Sequence, residues 1–121
     1  MRCGRERPAG DAVDDRQRDE RELRSAAVEV ASSASPEIDW ALSNNFYMTL
    51  GDNVDISFAN DADGQVITIS IINPASFTVA FPAGVFWTGG AAPTQTVSST
   101  DVFTFIKING VVYGSYVQDM Q

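Results

Sequence analysis

The sequence predicts an all-β domain, a small antiparallel β-sandwich or jelly-roll-like barrel, preceded by an N-terminal arm with a short helix. Several segments alternate apolar and polar residues and are rich in β-branched side chains, which is typical of half-buried strands. Turn residues separate these segments at short intervals, as in sandwiches and small barrels. Near the C-terminus, Asn109-Gly110 lies between two apolar segments, which is the strongest short-range signal for a β-hairpin.

Composition divides the chain into an arm, residues 1–35, and a β-domain, residues 36–121. From Asp11 to Ala31 there is no Gly or Pro, and Arg, Glu, Gln and Ala favour helix. Apolar positions in this stretch are few and lie near its end, so the helix would be marginal alone. Two interpretations remain open: the helix is ordered by a partner, or the arm is a solvated tail. A Ser-rich stretch before Pro36 reads as a linker.

The β-domain contains six predicted strands and a turn-rich stretch. In the segment 65–72 the pattern places Thr68 and Ser70 on the face away from the core. Pro and Gly residues between 82 and 93 predict a long loop around Val85-Phe86-Trp87. The predicted strands are 46–50, 54–58, 65–72, 77–81 and the hairpin strands 101–108 and 111–117.

Charge is unevenly distributed along the chain. The net charge is -8, but seven arginines lie within the first 24 residues, and the only basic residue after them is Lys107. The β-domain is therefore acidic. Nucleic acid requires clustered Lys and Arg to replace counterions, so we expect no nucleic-acid partner. No segment is long and apolar enough to span a bilayer, and we expect no membrane insertion.

The residue inventory argues against catalysis. The chain has no His, which is the commonest general base and a common metal ligand, and its single Cys, Cys3, cannot form an internal disulfide. Asp61 and Asp63 could contribute oxygens to a Ca²⁺ loop, but Asp, Asn and Gly are also favoured in ordinary turns. No glycine-rich phosphate loop is present. We expect no enzyme activity, no metal and no cofactor.

Aromatic residues are the remaining candidates for function. Trp40 and Trp87 are expected in the core or in a subunit contact, although large rings also stack on sugars. Tyr113 and Tyr116 lie on opposite faces of one predicted strand, so at least one should face outward. Trp87, Tyr113 and Tyr116 are therefore the candidate residues for surface recognition.

Residues from Ile38 to Met120 resemble a small β-domain of tailed-bacteriophage virion proteins, often found at the C-terminal end of tail fibres and other appendages. The resemblance covers about the last two thirds of the chain, and residues 1 to 35 lie outside it. It depends on four segments in order: IDWAL (38–42), GQVITISII (64–72), FTVAFPAGVFWTGGAAPT (77–94) and DVFTFIKINGVVYGSYV (101–117).

The resemblance implies a virion protein that forms a homotrimer and contacts other virion proteins, such as the major capsid or tail proteins. One expected function is a short appendage or capsid decoration (cement or head-fibre type), anchored by the arm. The alternative is a tail-fibre receptor-binding tip that recognises a host-surface glycan. Exposed sheet edges and apolar faces would gain from packing around an axis. The candidate contact residues are Leu23, Val28, Val30, Trp40, Phe103 and Phe105.

Overall fold

The computed structural model describes residues 26–121. This part is all-β, as predicted; apart from a short 3-10 turn at Thr88–Gly90 it contains no helix. The strands are β1 Ala27–Glu29, β2 Glu37–Asp39, β3 Asn45–Thr49, β4 Val54–Asp55, β5 Ser57–Ala59, β6 Val66–Asn73, β7 Val79–Ala80, β8 Val85–Trp87, β9 Ser99–Ile108 and β10 Val111–Met120.

The first part of the domain is a short β-solenoid, in which successive turns of a coil stack in parallel. Strands β1, β3 and β6 form one wall, with Ala27 opposite Asn45 and Asn45 opposite Thr68. Strands β2 and β5 pair in parallel on a second wall, and β4 pairs with β7. Backbone bonds between the turns extend this stacking, including Asp55 N to Ala34 O at 2.9 Å.

The parallel stacking corrects the predicted antiparallel sandwich or jelly-roll-like barrel. Alternation of apolar and polar residues identifies a strand and its buried face, but it is the same for parallel and antiparallel neighbours. Here each of the early strands is followed by a corner rather than by a tight hairpin. The chain therefore returns to the same wall in the same direction.

The C-terminal part continues the main wall with antiparallel strands. β9 pairs with both β6 and β10, and β8 pairs in parallel with β10. The resulting six-stranded sheet has the order β1-β3-β6-β9-β10-β8. Asn109 and Gly110 connect β9 to β10 with φ of 52° and 80°, the two positive values that a type I′ turn requires. The predicted hairpin is confirmed.

One hydrophobic core fills the coil and is continuous along the main wall. Ile67, Ile69 and Ile71 of β6 point inward and are fully buried, whereas Thr68 and Ser70 face outward, as the alternation predicts. The rings of Phe103 and Phe105 continue this inner face on β9. The opposite walls cover it with Trp40, Phe58 and Phe81, and Trp87, from β8 of the same sheet, packs over it as well.

The β-structure begins earlier than the predicted boundary between residues 35 and 36. The predicted helix lies mostly outside the described residues, but its last part, from residue 26 onward, contains strand β1 instead. Val30 N donates to Tyr47 O at 2.8 Å, and Ser43 Oγ donates to Ala26 O at 2.6 Å. Val28 packs against the core, and its branched side chain suits a strand better than a helix. The first turn of the coil therefore includes residues assigned to the arm.

Candidate functional site

Three of the predicted subunit-contact residues are inside the core of one subunit. Trp40 is 1% exposed, and Phe103 and Phe105 are completely buried. Phe58 contacts the rings of both Trp40 and Phe105, with centroids 5.3 and 5.1 Å apart. These side chains present no surface to another molecule. Burial contradicts their assignment as contact residues, because the coil curls over them; Trp40 occupies the core, the other location expected for it.

The remaining predicted contact residues belong to the start of the chain. Val28 and Val30 are half-buried and pack against the core of their own subunit. They border a shallow depression at the first turn of the coil, beside Leu42, whose side chain is 57% exposed. Leu23 lies outside the described residues.

Trp87, a predicted recognition residue, is held against the inner face of the sheet. Its ring lies over Gly114 of β10, where a Cβ atom would approach ring carbon Cζ3 to 2.8 Å. Ring contacts with Phe81, at 5.1 Å between centroids, and Phe105, at 5.5 Å, fix the indole from the other sides. Trp87 is therefore half-buried, and much of its ring supports the core rather than an external ligand.

Tyr113 and Tyr116 lie on opposite faces of β10 and both remain accessible. Tyr113 is 45% exposed and contacts Phe86, which at 61% is the most exposed large hydrophobic residue among residues 26–121. Tyr116 is 38% exposed, and its ring contacts that of Trp87 with 6.0 Å between the ring centroids. The prediction of a loop around Val85-Phe86-Trp87 is wrong: these residues form β8, which pairs with β10 and places Phe86 on the surface.

One face of the six-stranded sheet is open to solvent, and we call it the outer sheet face. It is formed by the side chains that point away from the core, and register places them in rows across the strands. One row runs through Phe86, Tyr113, Ile106 and Val66. Another contains Val117, Val102, Ser70 and Tyr47.

Between these two rows lies a more polar one, which contains Ser115, Thr104, Thr68 and Asn45. The outer sheet face thus combines apolar rows with a band of hydroxyl and amide side chains.

A buried carboxylate fastens the C-terminal end of the domain. Asp101 is fully buried; its Oδ1 accepts from Asp119 N at 2.9 Å, and its Oδ2 accepts from Thr96 N at 2.8 Å. The side-chain amides of Gln95 and Gln118 also donate to Oδ2. Burial acts to raise the pKa of Asp101, but these hydrogen bonds outweigh it and hold the pKa below its usual value. The group is an internal clamp rather than a reactive acid.

The acidic turn considered for Ca²⁺ makes contacts within the protein. Asp61 Oδ2 lies 3.1 Å from Lys107 Nζ, and Asp63 Oδ1 accepts a hydrogen bond from Gly110 N at 2.8 Å. Both contacts tie the turn to the β9–β10 hairpin. Within residues 26–121, no group of three His, Cys, Asp or Glu side chains is arranged to hold a metal ion.

A cleft of about 370 Å³ opens beside the same hairpin. Phe58, Asp61, Pro82, Val85 and Val112 are among the residues that line it. Its volume is within the range of small-ligand sites. None of the predicted recognition residues lines this cleft, since Trp87, Tyr113 and Tyr116 all lie outside it.

No helix in residues 26–121 is long and apolar enough to cross a membrane. Comparison of the chain with protein-family models, with curated proteins and with solved structures found no match.

Proposed function

We propose that this chain is a structural protein of a bacteriophage particle, a short trimeric appendage or capsid decoration anchored by its N-terminal arm. The observation that carries the proposal is that the arm and the exposed Phe86 lie at opposite edges of the six-stranded sheet. The arm joins the domain at β1, which is one edge strand, and the exposed Phe86 lies on β8, the opposite edge strand. Attachment at one end therefore leaves the other end projecting.

The architecture supports a mechanical role. In a solenoid each turn of the coil packs on its neighbours, so the unit is a continuous core with little freedom between its ends. The ring cluster around Phe81, Trp87 and Phe105 extends this core to the far edge of the sheet. A rigid body of this kind holds its far end at a fixed distance from the anchor.

The distribution of charge supports a division of roles between the arm and the domain. The domain contains a single base, Lys107, which is already paired with Asp61. The arm contains seven arginines. The arm also contains eight acidic residues, so its charge is mixed rather than basic. Because arginine forms bidentate hydrogen bonds with carboxylates, acidic patches on capsid or tail proteins are the proposed partners of these arginines. The proposal places the protein in the virion and assigns it neither catalysis nor a nucleic-acid or membrane partner.

The test is reconstitution onto particles that lack the protein. The full chain and a variant without residues 1–25 are mixed with such particles and separated by sedimentation. The full chain should sediment with the particles, and the variant should remain in the supernatant while keeping the circular dichroism of a folded β-domain. The arm fused to an unrelated carrier should confer binding. Equal binding by the truncated variant would exclude the arm as the anchor.

The second candidate function is a receptor-binding tip for a host-surface glycan. The specific observation in its favour is the pair Tyr116 and Trp87, a partly exposed aromatic surface of the kind on which sugar rings stack. The test compares Tyr116→Ala with Tyr47→Ala for binding to host cells. Both tyrosines are 38% exposed, but Tyr47 lies on the outer sheet face.

Loss of cell binding only in Tyr116→Ala, with the oligomer of both variants keeping the wild-type mass, would support the receptor function. A wild-type protein that neither binds cells nor blocks infection would remove it. Binding that survives Tyr116→Ala but is lost on changes in the cleft beside Phe58 would move the glycan site to that cleft.

A further inference from the structure

The outer sheet face carries most of the apolar surface that the described part of the chain exposes. Eleven large hydrophobic residues in this part are exposed, and eight of them point outward from this one sheet. A monomeric protein rarely exposes a contiguous apolar patch larger than about 300–600 Å², and larger patches mark interaction sites. The eight residues are Tyr47, Val66, Ile72, Phe86, Ile108, Tyr113, Val117 and Met120.

This face also lacks charge, although the domain is strongly acidic. Among the described residues that point outward from the six strands of this sheet, only Glu29 is charged, and it lies on the edge strand β1. The other acidic residues lie on loops, on the remaining strands, or on the inner face, as Asp101 does. Lys107, the one base in this part, pairs with Val112 on the inward row.

The missing charge limits which partner fits. A basic protein or a cation would find no carboxylate in the middle of the face, and an anionic partner would find no base. Two copies of this domain repel each other wherever acids meet, but on the outer sheet face no like charges are brought together except at the edge residue Glu29. A second copy is therefore the occupant that this surface favours.

The dimensions agree with self-association. Strands lie about 4.8 Å apart and rise about 3.4 Å per residue, so each strand residue covers about 16 Å² and the 39 residues of the six strands cover roughly 640 Å². Side-chain relief increases this area toward the roughly 800 Å² per partner that a standard stable interface buries, an area that each subunit of a trimer would divide between its two neighbours. The Ser and Thr row between the apolar rows offers hydroxyls for hydrogen bonds across the contact.

We propose that copies of this chain associate through the outer sheet face, with the rows of Phe86 and Val117 making the apolar contacts on either side of the polar row. In a trimer the three outer sheet faces would point toward the common axis, and each would contact both neighbours. This inference rests on the proposed self-association and specifies its surface. It leaves Tyr116, on the other face of β10, accessible in the assembly.

The test uses two valines of equal exposure. Val117 lies on the outer sheet face and Val97 lies on a loop, and each is 58% exposed. The mass of the full chain is measured by light scattering and sedimentation equilibrium for the wild type, Val117→Glu and Val97→Glu. We expect a wild-type oligomer, unchanged in Val97→Glu. A carboxylate buried without a partner should weaken the Val117→Glu assembly by about 100-fold or more.

A second variant, Phe86→Glu, places the charge on β8 and should dissociate the oligomer in the same way. Circular dichroism checks that every variant keeps the wild-type fold. A monomeric wild type at tens of micromolar would overturn both this inference and the proposed trimer. A stable oligomer that neither Val117→Glu nor Phe86→Glu weakens would overturn only the choice of surface. If Val97→Glu dissociated the oligomer as much as Val117→Glu does, the choice of surface would also be overturned. None of these results depends on whether the arm binds particles.

Discussion

The contact between Gly114 and Trp87 gives a sharp prediction for the variant Gly114→Ala. The added methyl would lie 2.8 Å from Cζ3 and 3.0 Å from Cε3 and Cη2 of the indole. Carbon atoms prefer separations of about 3.5–4.0 Å, so the ring must move by about 0.7 Å or more. That movement disturbs the ring contacts of Trp87 with Phe81 and Phe105. Gly114 has no positive φ, so its role is to provide space for the ring.

The magnitude follows from two opposing effects. Overpacking a well-filled core costs about 1–3 kcal/mol of unfolding free energy. Replacing Gly by Ala where the backbone tolerates it stabilises by about 0.4–1 kcal/mol, because the unfolded chain loses freedom. The steric cost is the larger effect, and we expect Gly114→Ala to lower the free energy of unfolding by about 1–2 kcal/mol.

Urea unfolding followed by circular dichroism, at one fixed protein concentration, measures this change. The control is the same substitution in a Trp87→Leu background, where the smaller side chain leaves room for the methyl. There the cost of Gly114→Ala should fall close to zero or change sign. An equal cost in both backgrounds would show that the methyl acts elsewhere and would refute the steric explanation.

Three further predictions concern the clamp, the hairpin and the first turn of the coil. Asp101→Asn should lower the urea midpoint at pH 7, because a carboxylate with a lowered folded-state pKa stabilises the fold above its unfolded pKa. The difference from wild type should shrink as the pH falls through the folded pKa. Gly110→Ala, at φ 80°, should cost about 1 kcal/mol in thermal unfolding. Gly84→Ala, with equal space but no positive φ, should be neutral or stabilising. Removing residues 1–35 should lower the unfolding free energy markedly relative to removing residues 1–25, because only the longer deletion removes β1.

Local structure was the part of the fold that the sequence could predict. Asn109-Gly110 specifies its own turn, since few residue pairs tolerate two positive φ values. The alternation in β6 identified Ile67, Ile69 and Ile71 as the buried set. Both features depend on neighbours along the chain, so no knowledge of the partner strands was needed.

The parts that could not be predicted depend on which strands meet. Phe103 and Phe105 looked available for a partner because nothing along the chain indicates that the opposite walls cover them. The outer sheet face could not be predicted for the same reason. Phe86 and Val117 are distant in sequence, and they share a surface only through the pairing of β8, β10 and β9. The β-structure begins before the predicted boundary between residues 35 and 36. Val28 and Val30 can be recognised as core residues only when β3 lies beside them.

The pairing of β6 with β9 has a consequence for synthesis of the protein. A chain released before residue 99 would contain the parallel coil, but one edge of β6 would have no neighbour. Eight residues of sequence VITISIIN would then offer unpaired amides and carbonyls beside bare isoleucines, a template for intermolecular aggregation. In full-length chains β9 covers this edge of β6. Prematurely terminated chains should therefore accumulate in inclusion bodies.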